Sequence, residues 1–507
     1  MGIESERVGG VRLTYFSMRR LYSSVRAAKN PPPKLSGRGN IDPNSQPPNY
    51  VPDHDYTITP ETYLYLESDN KEMFERFPLV TSKILEQRHN NERPKRVRML
   101  SRDFIENSLY SSKYGYFSKT AEIYSPEMSF DFTKMKNVDD FLDTWAVDFT
   151  KKATAPRGNK ELTKDKDHTS MDLKPKMRQL WHTPTELFHP YYGQSLAKYI
   201  VSNGGDEPLR IYEMGAGNGT LMIDILDWIK QHHPQIYKTV QYNIIEISPS
   251  LAFRQKTAAS KHQSKVVIHN KSIFDWNTPI DEKCFFISLE VWDNFAHDVV
   301  RYDNTTGKPH QGYVVIDPQG DFVQIFSDKL DSTLKRGLSL RSNLQFESDK
   351  KLGVFPLSQP ALVRKAKNFF KPSQANLSSP EFFPTKYVDF LHILKDYFPN
   401  HMLLASDFTH FGDRIPGYCS PVVQTFVDGN AISVSTFLVL QGFFDIMFPT
   451  DFKFSRDMYR EVTGREAVSV PHGEFLSRWA NLKDTSTKTG ENPMISFYRN
   501  AAFLCSV

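Results

Sequence analysis

Leu209-Arg210-Ile211-Tyr212-Glu213-Met214 runs directly into Gly215-Ala216-Gly217-Asn218-Gly219-Thr220, and from there into Leu221-Met222-Ile223-Asp224-Ile225-Leu226. A short β-inclined run, glycines at alternate positions and then apolar residues at helical spacing together read as strand, tight turn and helix. Glycine accepts left-handed backbone and leaves room for close approach, so the turn offers its amides to a ligand. Outward from this unit the alternation continues, with strands expected near 209–214, 240–246, 265–269, 283–289 and 401–406. Helices are expected at Gly219–Gln231, Ser248–Lys261 and Pro380–Tyr397. This succession predicts an α/β fold, a doubly wound, mostly parallel Rossmann-like sheet. Val422–Val427 and Ile432–Leu440, joined through Asp428-Gly429-Asn430, read as a hairpin suited to an antiparallel edge. A second hairpin, Gly312–Ile316 with Phe322–Phe326, interrupts the parallel order.

A dinucleotide fingerprint would place glycines at 215, 217 and 220, but position 220 is Thr. G-x-G-x-G preceded by an acid fits a loop for S-adenosyl-L-methionine (SAM) better. Gly215, Gly217 and Gly219 would then seat the cofactor, and Glu213 would face its ammonium group. The second strand ends in Glu246, where a carboxylate can accept hydrogen bonds from ribose hydroxyls, although a surface acid at a strand end would look the same. After the third strand, Ser272 and Ile273, followed by Phe274 and Trp276, offer either an adenine pocket or a pair of core aromatics.

The rest of the chain bounds the problem. Among 507 residues, 39% hydrophobic and 24% charged, nothing suggests wholesale disorder. Cys284, Cys419 and Cys505 make no metal or disulfide spacing, and no metal is expected. No apolar run approaches the roughly 18 to 20 residues of a membrane span, so membrane insertion is not expected. Arg7, Arg12, Arg19, Arg20, Arg26, Lys29, Lys34 and Arg38 face only Glu4 and Glu6; without this tail the acids slightly outnumber the bases. That removes the case for a nucleic-acid partner. The tail is Arg-rich, Ser-containing and acid-poor, the composition of a mitochondrial transit peptide, with a matrix-peptidase-like site at Arg20-Leu21-Tyr22-Ser23. The expected division is a transit peptide at 1–22, a linker and extension at 23–95, and a helical part at 96–205. A cofactor-binding core at 206–450 and a C-terminal extension at 451–507 follow. Residues 29–56 read as a Pro-rich linker, Thr62–Asn91 and Ser101–Tyr110 as short helices, and Lys151–Arg178 as a solvated insertion.

Several stretches in order resemble the MidA family of mitochondrial complex I assembly methyltransferases over most of residues 96–450. They are Phe104-Ile105-Glu106 through Leu109–Phe117, Thr183-Pro184-Thr185-Glu186-Leu187-Phe188 with Tyr192-Gly193, Glu213–Leu221, Glu246-Ile247-Ser248 and Glu290-Val291-Trp292-Asp293-Asn294. The resemblance implies a class I SAM methyltransferase sheet with a helical N-terminal extension and an inserted hairpin. It further implies a type II protein arginine methyltransferase of the mitochondrial matrix, which places symmetric dimethylarginine on a subunit of respiratory complex I. Leu289 and Phe295-Ala296-His297-Asp298 depart from the family pattern, which bears on substrate handling.

Arginine chemistry explains why acids matter. A guanidinium stays protonated near neutrality and attacks only when its charge is localised, and paired carboxylates can do this while aiming one nitrogen. Glu290 and Asp293, after the fourth strand, are the candidate catalytic pair, unless Asp293 merely caps the next helix and Glu290 supports the turn. Tyr114, Tyr116, Phe117, Tyr191 and Tyr192 either wall an arginine channel or fill the core. Glu186 is a further site candidate, or a first-turn helix acid. Two other readings remain at this stage: a methyltransferase for RNA or another substrate, and a SAM-fold assembly factor without catalysis.

Overall fold

In the computed structural model, which describes residues 65–155, 179–205, 208–344, 377–411, 420–427 and 430–507, the central sheet takes its first five strands from the expected segments. They are β1 (Arg210–Met214), β2 (Gln241–Ile245), β3 (Val266–His269), β4 (Cys284–Leu289) and β5 (His401–Phe408). Two more, β6 (Ala467–Pro471) and β7 (Ala501–Ser506), complete a seven-stranded sheet in the order β6-β7-β5-β4-β1-β2-β3. β1 to β5 pair in parallel, and β7 runs antiparallel to both β5 and β6. The sheet therefore does not stop at 450, and much of the segment expected as a C-terminal extension is sheet and covering helix. The alternation of β7 is masked because Ala501-Ala502-Phe503-Leu504-Cys505 is apolar throughout, as strands buried on both faces are.

Alternate residues of each strand feed two cores. Ile211, Phe285, Leu404 and Phe503 pack with helices Tyr191–Gly204, Thr220–His232 and His472–Trp479 on one face. Tyr212, Phe286, Leu403 and Leu504 pack with helices Thr385–Tyr397 and Phe452–Thr463 on the other. The period of two is what lets one sheet sustain both cores, each fully buried Leu or Phe contributing roughly 1.5–3 kcal/mol.

Both hairpins form, the one after Val422–Val427 with a second strand at Asn430–Val434 instead of Ile432–Leu440, and neither sits in the central sheet. Pro309–Ile316 and Phe322–Ser327 are the middle of a second sheet, joined by Asp298–Tyr302, Glu381–Phe383, Tyr65–Leu66 and Val97–Leu100. The N-terminal region thus contributes strands as well as the expected helix Ser101–Tyr110. Arg102 on that helix ion-pairs with Asp298 (2.6 Å) and with Asp331, tying it to the second sheet. Val422–Val427 pairs with Asn430–Val434 and with Asp445–Met447 in a separate three-stranded sheet rather than at an edge of the main one. The transit peptide and the Pro-rich linker lie outside the described residues, as do residues 156–178 of the expected insertion; Lys151–Thr154 end the helix Val138–Thr154. Among the described residues no helix is long and apolar enough to cross a membrane.

Leu504 is fully buried between β5 and β6. Leu504→Ala should lower unfolding free energy by about 2–5 kcal/mol in a denaturant titration. Val468→Ala, at an exposed position of β6, should change it by no more than about 0.5 kcal/mol. Equal effects would contradict this placement of β7.

Candidate active site

The glycine loop leaves β1 with all three glycines in left-handed backbone: φ is +73° at Gly215, +53° at Gly217 and +85° at Gly219. Its surroundings are close. A Cβ at 215 would lie 3.0 Å from Val291 Cγ2, and one at 217 would lie 2.7 Å from Ile123 Cδ1. Glu186 is buried against the loop and accepts from Asn218 Nδ2 (3.0 Å) and Thr220 Oγ1 (2.8 Å). On the other side Gln255 Nε2 donates both to Gly217 O (2.9 Å) and to Glu246 Oε2 (2.8 Å), while Ser248 N donates to Glu246 Oε1 (2.8 Å). Glu213 is buried beneath the loop and accepts from the Tyr242 hydroxyl at 2.8 Å. Burial, against that hydrogen bond and with Glu246 nearby, pushes its carboxyl up to about 8. After β3, Ser272 Oγ accepts from Phe274 N and caps the short turn Ile273–Asp275; Ile273 is buried in the same core as Ile245. Trp276 belongs to the core, packed on Tyr212 and Phe398.

The turn after β4 gathers acids. Glu290 adopts φ +53°, unusual for a residue with a side chain, and its N–H donates to Ser406 O of β5 (2.8 Å). Asp293 does not cap a helix: it lies inside the turn Trp292–Asn294, and its Oδ1 is buried without a hydrogen-bond partner. The capping is done from β5 by Asp407, whose Oδ2 accepts from Trp292 N (2.8 Å) and Asp293 N (3.1 Å). Asp445 joins through Asn294, which donates to its Oδ1 at 3.0 Å. Burial pushes Asp407 and Asp445 up to about 7 and raises Glu290 and Asp293 well above the carboxylate range, with the neighbouring acids adding to the shift in Glu290 and Asp293. Among the described residues no Lys or Arg pairs with any of the four.

The aromatic candidates divide. Tyr192 is buried, stacked on His472, and burial with Glu290 nearby raises its phenol. Tyr116 is a core residue bonded to Gln179 and Trp181, Tyr191 packs edge-on to Phe132, and Tyr114 donates to Asn107. From that N-terminal segment it is Tyr110 that reaches the acids, donating to Asn294 O at 3.2 Å and stacking on Phe117. No group of His, Cys, Asp and Glu among the described residues is arranged to hold a metal.

A family profile described as "Putative S-adenosyl-L-methionine-dependent methyltransferase" matches residues 193–470, more than half of the chain. The chain belongs to this methyltransferase family. A relative, "Protein arginine methyltransferase NDUFAF7 homolog, mitochondrial" of Schizosaccharomyces pombe, is 25% identical over 290 residues, 54% of this chain. The match spans about 60% of that relative's length. Among solved structures, a Burkholderia thailandensis protein bound to S-adenosyl-homocysteine aligns at TM-score 0.47 and 14% identity, covering 81% of this chain and 88% of that one. A native crystal structure from the same organism aligns at 0.46 and 13%, covering 81% and 87%.

The family's cofactor is SAM, and the residues present suit it. The loop provides a glycine cradle that a single added Cβ would obstruct. Glu246 accepts one bond on each oxygen and so keeps lone pairs to spare, and Glu213 accepts from Tyr242 on one of its two oxygens. Sequence reasoning missed Asp407, Asp445, Gln255 and Tyr110. Asp407 carried a signal: like Glu213 and Glu246 it is an acid closing an apolar strand, and the expected strand stopped one residue short of it.

Two measurements address the cradle. Gly217→Ala combines left-handed strain of about 1–2 kcal/mol with a methyl pressed on Ile123, and should weaken SAM binding at least about tenfold by calorimetry. Adding Ile123→Ala should recover part of the loss; wild-type affinity in Gly217→Ala would remove the loop from the cofactor site. For Glu213, the unfolded chain ionises near 4.5 whereas the folded protein holds its proton to about 8, so this group costs stability progressively as pH rises between those values. Glu213→Gln should therefore gain in melting temperature over wild type from pH 5 to pH 8 while losing SAM affinity. A gap that stays constant with pH would show that Glu213 ionises normally in the fold.

Proposed function

We propose that this protein transfers a methyl group from SAM to an arginine side chain of a mitochondrial protein. The observation that carries the reading is the acid mouth: Glu290, Asp293, Asp407 and Asp445 converge at the ends of β4 and β5, the three aspartates buried and Glu290 half-buried, and among the described residues none is paired with a Lys or Arg. Buried carboxylates in that state are unfavourable, and the group that relieves them is a planar cation with several donors, which describes a guanidinium. The named activity of the fission yeast relative supports the same substrate.

Bound SAM supplies an electrophilic methyl group on a sulfonium. The chain's part is electrostatic and geometric. Only the absence of a Cβ at Gly215 leaves room for Val291 Cγ2, so the turn carrying Glu290 and Asp293 borders the glycine loop. Asp293 Oδ1 has an open acceptor position, and Glu290 is held at its angle by the bond from its N–H to Ser406. Two carboxylates gripping a guanidinium localise its charge on the nitrogens they hold and leave the third as nucleophile, oriented at near-attack distance. Raised carboxyl pKa values also equip the same acids to take the proton that the methylated nitrogen releases. Tyr192 and Tyr498, both buried near Glu290, exclude water from that side. The finer reading, symmetric dimethylarginine on a subunit of respiratory complex I in the matrix, follows from the family resemblance.

Mass spectrometry of matrix proteins incubated with the enzyme and SAM should find dimethylarginine, with the symmetric isomer distinguished by fragmentation. Glu290→Gln should lower kcat/KM at least about a hundredfold with SAM affinity within about twofold. Methylation confined to lysine or RNA, or full activity of Glu290→Gln, would defeat the proposal. Because guanidinium binding requires ionised acids, KM for an arginine peptide should fall as pH rises from 6 to 8, with protons released on binding. A flat profile would show that Asp407 and Asp445, pushed to about 7, play no part.

A further inference from the structure

Between Trp228 and Phe274 the chain carries seven Lys and Arg residues and one acid, the buried Glu246. Beyond the N-terminal tail acids slightly outnumber bases in the chain as a whole, so this excess is local. Lys271 lies over the Trp276 ring, 4.4 Å from its centre, in the core on the far side of the sheet. The other six belong to the near side, where helix Thr220–His232 and, through Ala258, helix Pro249–Ala258 pack on one core. Lys230 and Lys265 hold their ammonium groups 5.6 Å and 5.7 Å from the centre of the Tyr237 ring, and Lys265 also donates to the carbonyl of Lys238. The Tyr237 hydroxyl meets His262 Nδ1 at 2.7 Å, beside Lys261 in the turn Ala259–Lys265.

These cations are not neutralised within the fold. Asp227, which borders the group, is engaged by His262 Nε2 at 3.1 Å. Arg254, Lys256 and Lys261 are exposed, and among the described residues none of the six pairs with a carboxylate. Beside Arg254 stands Phe253, 73% exposed, a bulky apolar side chain that finds no place in the core. Both helices run back from the ends of their strands, and Tyr237 and Lys265 shortly precede the starts of β2 and β3. The Lys230, Tyr237 and Lys265 group therefore lies at the opposite end of the sheet from the glycine loop and the acid mouth.

We infer that this face rests on an anionic membrane surface, with Phe253 entering the headgroup layer and the six cations at the level of the lipid phosphates. Clusters of about four to eight Lys and Arg beside an exposed apolar side chain are attracted to anionic bilayers and lie on them without spanning them. Five of the six are lysines, point charges suited to a diffuse field of phosphates, whereas nucleic-acid recognition favours the planar fork of arginine. The Tyr237 ring is engaged by ammonium groups rather than presented for base stacking. Seated in this way, the protein keeps its acid mouth open to a protein substrate.

The Arg-rich N-terminus also attracts an anionic surface, so the test reads this face directly in the full-length protein. With the wild-type emission subtracted, Phe253→Trp should show its added fluorescence shifted to the blue by phosphatidylcholine vesicles containing about one-third phosphatidylglycerol. Vesicles of phosphatidylcholine alone should leave it unshifted, and the shift should fade as salt rises towards about 0.5 M. In cosedimentation with the same anionic vesicles, Arg254→Glu combined with Lys256→Glu and Lys261→Glu should bind at least about tenfold more weakly than wild type. Circular dichroism and SAM affinity of this triple variant should match wild type. An unshifted Phe253→Trp emission, an equal shift on neutral vesicles, or wild-type sedimentation of the triple variant overturns the inference. A U-rich RNA oligonucleotide that displaces the vesicles, binds more tightly and is lost in the triple variant also overturns it, in favour of a nucleic acid.

Discussion

The carboxylate of Asp407 holds the carboxyl ends of β4 and β5 together. From β5 it accepts the N–H groups of Trp292 and Asp293, which would otherwise be buried donors at the start of a turn. The same contact forces the chain leaving β4 back over the end of β5, and Glu290 takes up the left-handed angle that this path requires. Left-handed backbone at a residue with a side chain costs about 1–2 kcal/mol, a cost sustained only where the surroundings fix the conformation. A glycine at 290 would relieve that strain but would remove the carboxylate. The turn is thus shaped by a third acid so that two others can project together.

The glycine loop is organised on the same plan, with side chains from outside it bracing a turn whose three glycines have none to anchor it. Glu186 grips Asn218 and Thr220 from one side, and Gln255 links Gly217 to Glu246 from the other. A glycine-rich segment loses more backbone entropy on ordering than any other, and these polar braces oppose that loss before a ligand arrives.

What was legible in the sequence followed from local constraints. Alternate glycines demand left-handed backbone wherever they occur, and the runs ending at Glu213 and Glu246 carry strand chemistry in themselves. The five parallel strands could be read for that reason. Asp407 and Asp445 were not, because their roles depend on partners 115 and 151 residues away in sequence. The second sheet was hidden similarly: the hairpin at 309–327 has its turn in the sequence, while its neighbours Val97–Leu100 and Glu381–Phe383 are supplied by tertiary pairing. Asp293 as a helix cap was a sound local expectation defeated by a distant residue taking the position first.

The position of β7 bears on how the chain reaches this state. β5 gains its second neighbour only when Ala501–Ser506 slots in antiparallel between it and β6. Until then β5 is an apolar strand with an open row of amides and carbonyls, a template for pairing with another chain. Such an edge favours self-association in any form of the chain in which β7 is undocked. The order of strands in the finished sheet therefore sets a vulnerability as well as an architecture.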